Sequence, residues 1–155
     1  MKTLSAICLL MIMLPLSPAL GQTDAPPKNA RELQQKFAQA YKNKNLGSLD
    51  GKNLMNGSVR LIVEHSIAEN KNGDALIEGR TFNNFAAIDK WLKRREGEDG
   101  TPFRQIMPLL SCGKARCAYN FDGGILHNQL YLHDIWYGFK NGRPYVTKIK
   151  LLDGD

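Results

Sequence analysis

Histidine and cysteine are scarce in this chain, with three of each among 155 residues. His65, His127 and His133 share no close spacing with one another or with cysteine, so no metal site is expected. His127 and His133 lie six residues apart on one strand, about 20 Å in extended chain, too far to share a metal. No catalytic or cofactor motif stands out, which points away from a cofactor enzyme. Internal repeats, coiled-coil heptads and low-complexity tracts are also missing, which excludes repeat and fibrous architectures. No apolar run reaches the ~20 residues of a membrane-spanning helix.

The longest apolar run, Leu4–Leu16, is broken by Pro15 and followed by Pro18. With Lys2 before it and Ala19-Leu20-Gly21 after it, residues 1–21 read as a cleaved signal peptide. The protein is therefore expected to be secreted or periplasmic. Cys8 belongs to that segment. In an oxidising compartment Cys112 and Cys117, flanking Gly113-Lys114-Ala115-Arg116, are expected to form a disulfide across a turn. The charge is +6, and +5 once Lys2 is removed. A basic balance suits anionic partners in general, but no nucleic-acid-binding motif accompanies it and none is expected as a partner.

Residues 22–29, with Asp24, Pro26 and Pro27, read as a flexible lead-in to one domain over 30–155. Leu33, Phe37, Ala40 and Tyr41 recur at helical spacing after Asn29, a suitable N-cap. A short helix or turn is expected over Asn45–Met55. Val59, Leu61, Val63, His65 and Ile67 alternate as one strand, and Asn72-Gly73 turns it into a second over 75–82. Phe85, Ile88, Trp91 and Leu92 form the stripe of a further helix, with Asp89 expected at the surface. Lys93, Arg94 and Arg95 suit the last turn of its dipole. Strands follow over Arg104–Cys112 and Cys117–Phe121, and Gly123-Gly124 breaks the chain before a hairpin from Leu126 to Leu152. Its turn is Asn141-Gly142, with the left-handed angles that a two-residue turn requires. Trp91 and Trp136 are expected in the core or at a dimer interface.

The fold class is thus α+β: a curved mixed or antiparallel sheet of about six strands wrapped around two to three helices. Phe37-Ala38-Gln39-Ala40-Tyr41 with Asn45-Leu46-Gly47-Ser48-Leu49 resembles the opening helices of the nuclear transport factor 2-like superfamily. Gly79-Arg80-Thr81 before the helix of Ile88 and Leu92, and Lys140-Asn141-Gly142-Arg143-Pro144 before Val146–Leu152, are similar to later parts of it. The resemblance implies a cone-shaped fold whose sheet and helices enclose a pocket. Members include isomerases, cyclases, dehydratases, secretion scaffolds and binding modules, so the fold leaves function open.

An enzyme of that kind places an acid/base group in the pocket, and His133 and Asp134, with Tyr131, Tyr137, Tyr119 and His65, are the candidates. Simple alternation puts Tyr131, His133 and Tyr137 on one face and Asp134 on the other, unless a bulge intervenes. The main expectation is a non-catalytic binding or interaction module for a small apolar ligand or a protein. Its last hairpin carries large side chains on both faces, so the sheet could also pair with a second copy. The alternatives are an isomerase- or cyclase-like enzyme using the His/Tyr pocket, and a protein-binding factor such as a toxin-immunity or cell-envelope assembly protein.

Overall fold

The structure, a computed structural model, describes residues 25–69, 75–98, 103–120 and 129–154. The proposed leader, the Asn72-Gly73 turn, the Gly123-Gly124 break and His127 lie outside them. Two α-helices, α1 (Ala30–Lys42) and α2 (Phe85–Glu98), are joined by a short 3-10 turn, Leu46–Leu49, and the first two strands. The strands are β1 (Met55–Glu69), β2 (Ala75–Phe82), β3 (Phe103–Ile106), β4 (Leu109–Cys112), β5 (Arg116–Tyr119), β6 (Gln129–Lys140) and β7 (Arg143–Asp153). They form one open mixed sheet in the order β2-β1-β7-β6-β5-β4, in which β1 and β7 run parallel.

The strand expected over Arg104–Cys112 is two strands, so the sheet has seven rather than about six. Pro108 has no N–H to give a ladder and interrupts the run; its carbonyl accepts instead from Asn120 N at 2.8 Å. On either side of the break the chain takes different partners. β3 lies parallel to β6 beside Leu130–Leu132, while β4 pairs antiparallel with β5.

Helix α1 begins as its sequence predicts. Asn29 Oδ1 accepts from Glu32 N at 2.9 Å, satisfying one orphan donor of the helix, and Glu32 reaches back to Lys28 N, just outside it, at 2.8 Å. Helix α2 is capped from a distance. Asp50, just after the 3-10 turn, accepts from Phe85 N at 2.7 Å and Ala86 N at 2.9 Å, and Asn84 Oδ1 accepts from Ala87 N at 2.7 Å. The capping carboxylate also opposes the positive end of the helix dipole.

Leu33, Phe37 and Tyr41 of α1 and Phe85, Ile88 and Leu92 of α2 are buried against Val59, Leu61, Val63, Leu132, Ile135, Ile149 and Leu151 of the sheet. Phe37 and Phe85 meet edge to face, with ring centroids 6.0 Å apart. The hairpin turn takes the left-handed angles expected of it, with φ of 52° at Asn141 and 73° at Gly142. At Gly138 a Cβ would lie 2.7 Å from the tip of the Tyr145 side chain, so any larger residue there requires that ring to move.

The alternation expected along β6 does not run through. The β6–β7 register shifts between Leu132 and Asp134 and again between Trp136 and Tyr137. Leu130 and Leu132 face the core before the first shift, and Ile135 and Tyr137 face it afterwards. A bulge adds one residue to a strand, and every later side chain then changes faces.

Candidate functional site

The first bulge rearranges the residues that sequence spacing had grouped. His133 Nδ1 and Asp134 Oδ2 are 2.6 Å apart, although strict alternation would have placed them on opposite faces. Asp134 is buried, and Arg116 Nε lies 3.6 Å from its Oδ1. Tyr131 and Tyr137 do not share a face across the bulge. Tyr137 belongs to the core cluster and donates to the carbonyl of Gly113 in the disulfide turn. Tyr131 is buried outside that cluster and donates to Gln129 Oε1 at 2.8 Å.

Tyr119 accepts from Gln34 Nε2 at 2.6 Å beneath α1. His65 sits on the core side of β1, 3.8 Å from Asp153 and 3.4 Å from an Arg95 guanidinium nitrogen. Burial pushes the Tyr119 hydroxyl up to about 12, with the hydrogen bond from Gln34 acting against it, and burial likewise raises Tyr137. Both hydroxyls stay protonated at neutral pH. They can donate hydrogen bonds and are poorly suited to accept a proton from a substrate.

The largest constellation of charge lies elsewhere, around α2, and sequence reasoning missed it. Asp89, expected at the surface, is buried because Arg104 of β3 comes to it: Nη1 lies 2.7 Å from Asp89 Oδ1. Arg104 Nε is 2.7 Å from Glu96 Oε1, and its side chain is fully buried. The guanidinium also packs over the Tyr41 ring at 5.5 Å and donates to the Tyr41 carbonyl at 3.3 Å. Lys93 and Lys44 close the outer side, at 2.7 Å from Asp89 and 3.2 Å from Glu96. Tyr41 donates to the Leu130 carbonyl at 2.7 Å, and burial raises its pKa well above the ordinary value.

One step round the same helix, Arg95 bridges Glu78 and Asp153, at 2.8 Å to each. Burial works against the charge on Arg95, but these two carboxylates outweigh it and hold its pKa above the ordinary value. Arg80 Nε also lies 3.1 Å from Glu78 Oε1, so five cations, Lys44, Arg80, Lys93, Arg95 and Arg104, meet four carboxylates, Glu78, Asp89, Glu96 and Asp153. The basic run Lys93-Arg94-Arg95 therefore pairs two of its three charges with carboxylates of the same chain.

The Glu78 carboxyl is pushed up by burial, yet hydrogen bonds from Arg80 and Arg95 overcome this and hold it below the ordinary value. A depressed carboxylate contributes stability above its unfolded pKa and loses it as pH falls through the folded value. Glu78→Gln is accordingly expected to lower the urea midpoint near neutrality and to match the parent in strong acid. An equal loss at both pH values would mean that packing, not charge, is what Glu78 supplies.

Three grooves lined by described residues open at the surface. One of about 590 Å3 lies beside Asp50, Asn53 and Asn84, one of about 430 Å3 beside Lys140, Arg143 and Tyr145, and one of about 330 Å3 beside Asn29 and Leu110. None of the three is lined by His65, Tyr119, Tyr131, His133 or Tyr137. Among the described residues no three His, Cys, Asp or Glu side chains are grouped to hold a metal ion. No described helix is long and apolar enough to cross a membrane. Cys112 and Cys117 are bonded, which is compatible with an oxidising, extracellular setting.

Among the described residues, fold and site together define an α+β protein in which two helices cover one face of an open seven-stranded mixed sheet and an ionic network ties helix to strand. The chain matches no protein-family model, and neither a curated protein nor a solved structure matches it significantly.

Proposed function

We propose that the protein is a non-catalytic binding or interaction module of nuclear transport factor 2-like fold, exported to an oxidising compartment. The observation that carries this reading is a closely packed interior among the described residues. Phe37, Tyr41, Leu46, Phe85, Leu92 and Leu132, each at most 1% exposed, occupy the space between helices and sheet. An enzyme or carrier of this architecture needs that space for its substrate. The ionic groups beside it are engaged with one another, so they serve cohesion in preference to chemistry. The order helix, short helix, hairpin, helix and then a run of strands, with β1 parallel to the last strand, supports the family reading. The Cys112–Cys117 bond supports export.

The isomerase- or cyclase-like alternative draws on the short His133–Asp134 contact, which has the form of an acid/base pair. It also requires an enclosed cavity around His133 with Tyr131 and Tyr137, and those tyrosines lie on opposite sides of the bulge. Titration of the folded protein with the apolar dye anilinonaphthalene sulfonate tests the choice. Fluorescence at the buffer baseline is expected of a filled interior. Saturable one-to-one enhancement that His133→Ala alters would overturn the filled interior in favour of a ligand pocket beside His133.

A further inference from the structure

The sheet face turned away from the helices carries a row of side chains that the ionic network does not absorb. Thr81, Arg60, Lys148, Trp136 and Arg116 are successive cross-strand partners from β2 to β5. Directly paired positions project to the same side of a sheet. Their neighbours Val59, Leu61, Ile135 and Ile149 face the core, so this row faces outward. Lys148 Nζ sits 3.6 Å from the Trp136 ring centroid, and the Arg116 guanidinium lies 5.8 Å from it. Contacts of this kind hold the indole and both cations in place.

Charge on this face is uneven. In the adjoining rows Lys150 is neutralised by Glu64 at 2.6 Å, and Arg116 approaches Asp134. Among the described residues neither Arg60 nor Lys148 has a carboxylate partner. Beside them Ile62 is half-buried, and Ile77, on the outward side of the edge strand β2, is 61% exposed. Ordered cations around a tryptophan, with aliphatic side chains alongside, have the composition of a protein-binding hot spot.

We propose that this outer face docks an acidic protein segment, one that presents carboxylates alternating with aliphatic side chains. The proposal rests on the reading of the protein as an interaction module. Charge selects the occupant. A second copy related by a two-fold axis would bring Arg60 and Lys148 against the same cations, and like charges at an interface are unfavourable. A lipid surface would favour an aromatic ring projecting from the face, whereas Trp136 lies beneath Lys148. Carboxylates two residues apart on an extended segment are roughly 7 Å apart, between the ~5 Å of neighbouring strands and the ~10 Å of next-neighbouring ones, a difference that long lysine and arginine side chains span.

The test is fluorescence anisotropy of a short fluorescein-labelled peptide of alternating Glu and Leu, at low and physiological salt. Vesicles of phosphatidylcholine containing phosphatidylglycerol serve as a second probe. Binding is expected to weaken about tenfold or more in the double variant Arg60→Glu/Lys148→Glu, and comparably in Trp136→Ala. Lys90→Glu/Arg94→Glu, the same charge change at exposed positions of α2, is expected to leave it within about twofold, because its charges lie outside the docking row. Circular dichroism melts establish that each variant is folded. Equal weakening by both double variants would overturn the proposal in favour of nonspecific attraction. Binding to vesicles without binding to the peptide would reassign the face to a membrane. Failure to bind either probe would overturn the docking face, while the dye titration still decides separately whether the interior is filled.

Discussion

Replacement of Arg104 by methionine is expected to lower the unfolding free energy by about 3–5 kcal/mol, the usual consequence of removing one partner from a buried ion pair. Methionine approximates the volume of the arginine stem but leaves Asp89 and Glu96 buried without their shared cation. Lys93 and Lys44 remain, yet their side chains are 53% and 38% exposed and compensate from the solvent side only. Arg104→Lys keeps the charge and loses the fork that spans two carboxylates and the Tyr41 carbonyl, so an intermediate loss is expected. Adding Asp89→Asn and Glu96→Gln to Arg104→Met should recover more than half of the deficit, since the penalty comes from uncompensated charge. Urea denaturation of the four proteins measures this. A loss below about 1 kcal/mol in Arg104→Met would show that the two lysines suffice and that β3 is held by its ladder with β6.

Phe37→Ala is expected to cost a similar amount, about 3–5 kcal/mol, through lost transfer energy and the cavity left behind. Phe37 is 1% exposed and lies edge to face with Phe85, where α1 meets α2. The substitution also bears on function, because it would turn a packed interior into one with an apolar hole. An apolar hole of that kind stays dry and takes up small aromatics. Benzene should therefore raise the melting temperature of Phe37→Ala and leave the parent unchanged. If benzene stabilised the parent as strongly, the interior would already hold a ligand-sized cavity, and the reading of a packed interior would fall.

Much of the architecture was legible in the chain because its causes are local. The stripe of Leu33, Phe37 and Tyr41, the Asn29–Glu32 cap and the Asn141-Gly142 turn each depend on residues a few positions apart. Their geometry follows from helical period, hydrogen-bond reach and permitted φ angles. The site was far less legible. Strict alternation separated His133 from Asp134, and one inserted residue relative to β7 brought them together. The spacing Asp89, Lys93, Glu96 already marked one face of a helix, but a polar helical face ordinarily looks to solvent. Nothing between Glu96 and Arg104 announces that a short parallel strand will carry a guanidinium beneath that face.

Composition and local pattern thus determined the class of fold, most of the elements, the apolar stripes and the cysteine pair, since each is set by neighbours along the chain. Tertiary structure alone decided which charges are buried, which face Tyr131 and Tyr137 take, and which cations remain for a partner. Those outcomes depend on strand register and on desolvation, which arise only when segments distant in sequence are packed together.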